Sequence, residues 1–71
     1  MDLSQVKENL GHKVVLNDTF HHIENIPCIL RAYRLVRING RIFHQAELED
    51  LRSERCVMYA PLESVEIVEQ L

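Results

Sequence analysis

The stretch CILRAYRLVRINGRIFHQAELEDL, residues 28–51, decides how the chain folds. Two runs rich in Ile, Leu, Val, Tyr and Phe meet at Asn39-Gly40. Both of these residues accept a positive φ, and the tight turn they form matches the twist of paired strands. The stretch therefore predicts a long hairpin, Cys28–Ile38 against Ile42–Leu51. Gln45-Ala46-Glu47-Leu48-Glu49 alternates polar with apolar, which turns Ala46 and Leu48 inward and the two glutamates outward.

Register adds a constraint. A strict two-residue turn pairs Ile38 with Arg41, Val36 with Phe43, Arg34 with Gln45 and Ala32 with Glu47. Paired residues share a face. Leu30 and Ala32 would then lie beside Glu47 and Glu49, opposite Ala46 and Leu48, although both apolar sets read as core. One extra residue, expected near Arg34 to Arg37, or a longer loop reconciles them.

Before the hairpin, Asp2 can cap a helix over residues 2–10 whose Leu3, Val6 and Leu10 share one face. Gly11 is placed to end it in the left-handed conformation. His12–Leu16 reads as a first strand. Asn17 to Pro27 reads as irregular; it holds Phe20, His21, His22 and Ile23, so part of it is expected to fold back over the core. After the hairpin, Arg52-Ser53-Glu54-Arg55 reads as a polar turn, Cys56–Tyr59 as a strand, and Val65–Val68 as a last short strand behind a break at Pro61. Residues 12–71 are thus read as strands.

A strand, a one-turn break beginning with Pro and a final strand that returns to the first resemble the closure of SH3-like and Sm-like barrels. That resemblance implies a mostly β fold, a barrel of five bent antiparallel strands with a short N-terminal helix. Sm-like proteins read nucleotides through an Asp near an Asn and an Arg-Gly pair. Here Arg41 follows Gly40 in the reverse order, which speaks against that mode of RNA binding.

The 71 residues suffice for one domain. A chain this short buries only about 60% of its unfolded surface, so its core is thin. Apolar residues make up 46% of it, too many for a disordered tail. No apolar run approaches the roughly 20 residues that span a bilayer. Met1-Asp2-Leu3-Ser4-Gln5 lacks a basic patch followed by an apolar stretch, so the expectation is a cytoplasmic protein without membrane contact. Cys28 and Cys56 both have apolar neighbours and read as buried free thiols.

Little points to catalysis. Ser4, Ser53 and Ser64 lack a nucleophile-elbow setting. Glu47, Glu49 and Asp50 cluster, but alternation puts the two glutamates on a solvated face. Gly11 and Gly40 alone cannot build a phosphate-cradling loop. His21, His22, Cys28, His44 and Cys56 show no metal-ligand spacing. The chain reads as a non-enzyme with no catalytic residue, metal or cofactor.

Charge carries the functional signal. The formal net charge is −3. Residues 29–44 hold Arg31, Arg34, Arg37 and Arg41 and no acid, so the rest of the chain carries the negative balance. Tyr33 and Phe43 interleave with these arginines and His44 lies close by. Arginine pairs with phosphate or carboxylate and stacks on planar groups, and aromatic rings supply stacking platforms. The candidate binding residues are Arg31, Tyr33, Arg34, Arg37, Arg41 and His44. The expected ligand is a protein partner, with RNA, single-stranded nucleic acid or a nucleotide as the alternative. A third possibility is that the arginines only pair across the ladder with Glu47, Glu49, Asp50 and Glu54. An open sheet edge also allows a homo-oligomer by strand addition.

Cys28–Ala32, Phe43–Leu51 and Pro61–Glu66 together resemble small uncharacterised proteins carried by prophages and mobile elements of Gram-positive bacteria. The resemblance covers about the last two-thirds of the chain. It implies a phage-type accessory protein that binds a host component, as an adaptor or inhibitor, and it carries over no site residue.

Overall fold

In the computed structural model of the chain, residues 1–53 and 56–68 are described. Glu54, one of the carboxylates named above, and Arg55 lie outside them. The order is a helix α1 (Leu3–Asn9), strands β1 (Lys13–Asp18), β2 (Ile23–Ile38), β3 (Arg41–Asp50) and β4 (Val57–Pro61), a 3-10 turn (Leu62–Ser64) and a strand β5 (Val65–Ile67).

Asp2 caps α1 by a reciprocal pair of bonds. Its Oδ1 accepts from the Gln5 backbone N–H at 3.1 Å, and the Gln5 Oε1 accepts from the Asp2 N–H at 3.0 Å. Gly11, at φ 80°, turns the chain out of the helix. Of the expected apolar face only Val6 is buried, while Leu3 and Leu10 stay exposed. A helix of seven residues presents barely two turns, and one side chain fits between it and the sheet.

The strands form one antiparallel sheet in the order β4-β3-β2-β1-β5. The last strand does return to the first, with Val14 opposite Ile67 and Leu16 opposite Val65. Strands β4 and β5 end the order without pairing, so the sheet is open where a closed barrel was expected. One cluster fills its inner face, with Val14, Cys28, Leu30, Ala46, Leu48 and Val65 fully buried and Val6, Leu16, Ile26, Ala60 and Leu62 nearly so.

The hairpin has the expected two-residue turn. Ile38 faces Arg41, and Asn39 and Gly40 sit at φ 50° and 78°. It also has the expected bulge, but at another place. The register slips between Leu30 and Ala32, leaving Arg31 unpaired, and it is regular from Ala32 to Ile38. The slip falls where β2 leaves β1. The last ladder pair with β1 is Lys13 with Ile29, and the Leu30 N–H donates to the His12 carbonyl at 3.0 Å. Below the slip Ile26, Cys28 and Leu30 point inward, and above it Tyr33 takes the inner side.

The stretch expected to be irregular is mostly strand. Strand β2 begins at Ile23, with Ile26 in the core. Only Thr19–His22 forms a turn, with Phe20 at its tip 86% exposed, while Ile23 packs against the core as expected of part of this stretch. Here Asp18 accepts from the His21 backbone N–H at 3.3 Å, and its Oδ2 lies 2.7 Å from the His21 ring. These bonds hold the turn off the sheet. Cys56 is exposed, not buried, because it precedes β4 and belongs to a surface connection.

Candidate functional site

Strand β1 accompanies β2 only to Ile29, and β4 accompanies β3 only between Gln45 and Glu49. Residues 35–44 therefore pair with nothing but each other. They form a two-stranded arm that runs on past the sheet and gives the molecule its long axis of 39 Å against 26 and 23 Å. Leu35, Ile38, Ile42 and Phe43 on this arm are each between 41% and 55% exposed.

Register divides the candidate residues between two faces. Pairs share a face, and successive pairs alternate. The outer face carries Arg34 with Gln45, Val36 with Phe43, and Ile38 with Arg41. The inner face, continuous with the core side through Tyr33 and Ala46, carries Leu35 with His44 and Arg37 with Ile42. The six residues selected from the sequence thus do not form one strip.

Their contacts differ as well. Arg31, on the bulge, makes an ion pair with Glu49. Arg34 donates from Nε to Gln45 at 2.8 Å and stacks on Tyr59, with 3.7 Å from its guanidinium carbon to the ring centroid. Tyr59 in turn donates to Glu47 at 2.9 Å. Of these contacts only Arg31 with Glu49 is the cross-ladder ion pairing weighed for the arginines; Arg34 reaches Gln45 and Tyr59 instead. Tyr33 and His44 stack with centroids 5.8 Å apart and share a hydrogen bond between the phenol oxygen and Nδ1. Arg37 and Arg41 are exposed and take no part in an ion pair among the described residues. Asp50 is buried and is held by Arg52, not by an arginine of the hairpin.

A cavity of about 590 Å³ opens at the base of the arm on its inner face. Met1, Leu3 and Leu62 line it with apolar surface, His44 forms its wall toward the arm, and the exposed Asp2 and Glu63 stand at its rim. The sequence did not single out this cavity or the arm's aliphatic side chains. Their signal was present in the hairpin, whose strands outrun every other strand-like segment and so leave apolar residues without a third strand to cover them.

Among the described residues no three His, Cys, Asp or Glu side chains gather as metal ligands, and no helix is long and apolar enough to cross a membrane. In comparison with known proteins the chain matches no family model, no curated protein and no solved structure.

Proposed function

We infer that the chain is a non-catalytic protein-interaction module, an adaptor or inhibitor whose docking element is the arm of residues 35–44. One observation carries this reading: an unsupported two-stranded ribbon exposes four large apolar side chains beside two arginines that make no ion pair among the described residues. An isolated hairpin is at best marginally stable in water. A partner that covers it removes apolar surface from solvent and stabilises it. Apolar anchors with arginine are also the composition of protein–protein contact centres. The setting we read for it is the phage-type one, in which the covered surface belongs to a host protein. We read the sheet as a partial SH3-like or Sm-like barrel, supported by the β1–β5 pair and the 3-10 turn before β5.

Nucleic acid is the weaker ligand, because Arg31 and Arg34 are already engaged and the arm's free surface is largely aliphatic. The test has two parts. Immobilised wild-type protein should retain a partner at near-stoichiometric amount from a bacterial lysate, and an Ile38→Glu, Ile42→Glu variant should lose it. Fluorescent single-stranded DNA and RNA oligonucleotides should show no binding that an Arg34→Ala, Arg37→Ala variant abolishes. Salt-sensitive oligonucleotide binding that this variant loses would overturn the protein reading.

A further inference from the structure

We propose that in the free protein, before any other partner is bound, the arm docks in the cavity of a second copy of this chain, two copies exchanging arms reciprocally across a two-fold axis. The proposal rests on reading the arm as a protein-binding element and names its occupant. The two surfaces complement each other in both polarity and charge. On its inner face the arm offers Leu35 and, one inner-face pair nearer the tip, Ile42 with Arg37 directly opposite it. The cavity offers Met1, Leu3 and Leu62 with the carboxylates of Asp2 and Glu63 at its rim. Aliphatic groups would meet aliphatic groups, and Arg37 would meet a pair of acids.

The charge of the whole chain is divided in the same way. The hairpin segment 29–44 is basic without an acid, and it projects from a body that is acidic enough to leave the total at −3. Opposite patches on one chain attract between copies and repel when like patches meet, which fixes the docking orientation.

Geometry keeps the tip of the arm away from its own cavity. His44, at the base of the arm, already lines the cavity. Gly40 lies about 13 Å of extended strand beyond it. The tip of an arm therefore points away from its own cavity and is free to reach another. A contact between two different patches closes into a dimer when it is made twice about a two-fold axis. Each copy then covers the inner-face Leu35 and Ile42 of the other.

Sedimentation velocity at about 10 and 100 µM protein tests this with wild type, Arg37→Glu, Glu63→Lys and an equal mixture of the two variants. Glu63 is chosen over Asp2 because Asp2 caps α1. Wild type should be dimeric and each variant alone monomeric, since each places like charges at both contacts. The mixture should recover the dimer with one copy of each, because both contacts then join a cation to a carboxylate. Recovery also shows that both variants fold. A monomeric wild type at the higher concentration, a dimer indifferent to either substitution, or a mixture that stays monomeric would each overturn the proposal. A monomeric wild type that still loses a captured foreign protein on Ile42→Glu overturns arm exchange alone and leaves the interaction-module reading standing.

Discussion

The guanidinium carbon of Arg34 lies 3.7 Å from the centroid of the Tyr59 ring. The contact joins β2 to β4 across the intervening β3, and the Tyr59 hydroxyl extends it to Glu47. One arginine of the hairpin is thereby fixed at the root of the arm, while Arg37 and Arg41 beyond it stay free.

The phenol of Tyr59 should ionise above its ordinary range near 10. The Glu47 carboxylate accepts its hydrogen bond and repels the phenolate, and the charge of Arg34 only partly opposes this. In a Tyr33→Phe background the absorbance of the remaining tyrosinate reports Tyr59 alone. Its titration should move to lower pH on Glu47→Gln. An unchanged midpoint would mean that the hydroxyl does not bond Glu47 in solution.

Acid should weaken the fold through Asp50. This buried carboxylate accepts from the Arg52 backbone N–H at 2.8 Å and from its guanidinium at 3.0 and 3.2 Å. The Arg52 side chain foremost, then its backbone N–H, holds the Asp50 carboxyl below the usual range. A group with a depressed folded pKa stabilises the fold above its unfolded value, about 4, and that contribution disappears as pH falls through the folded value. Asp50→Asn should therefore lower Tm at pH 7, and the gap from wild type should be narrower at about pH 3. Thermal melts at the two pH values decide it.

Gly40→Ala should loosen the arm and spare the core. At φ 78° an added Cβ meets no neighbour, so its cost is backbone strain alone, about 1–2 kcal/mol. The arm touches no third strand, so this strain should stay local. Amide exchange should quicken roughly five- to thirtyfold between residues 35 and 44, with Val14, Leu30 and Leu48 unchanged. Uniform acceleration through the sheet would show that the arm unfolds only with the core.

The two cysteines should differ. Cys56 is exposed, whereas Cys28 is buried, and its burial foremost, with the nearby Asp50 charge adding to it, pushes its thiol up. Only the thiolate reacts quickly. Ellman's reagent should titrate one thiol in the native protein and the second only after denaturant is added. Two fast thiols under native conditions would contradict the packing of β2.

Much of this was legible in residues 28–51. Asn39-Gly40 gave the turn, alternation gave the buried Ala46 and Leu48, and the conflict between Leu30 and Leu48 announced a bulge. Its location was not legible, because it depends on where β1 stops, and β1 ends through contacts that no local spacing records. For the same reason the candidate site was read as one strip. Beyond Arg31 the pleat sends Arg34 outward and Arg37 inward. Only the pairing register separates them.

The unpaired Arg31 also bears on how such a protein can change over generations. Substitutions in the arm alter what a given face displays, but a gain or loss of one residue between Leu30 and Asn39 shifts the register of β2 between that point and the bulge. The side chains of that part of the strand would then be presented to the opposite side, while those nearer the turn keep their pairing. Which side chains this strand displays on each face is therefore open to change by single-codon insertions and deletions.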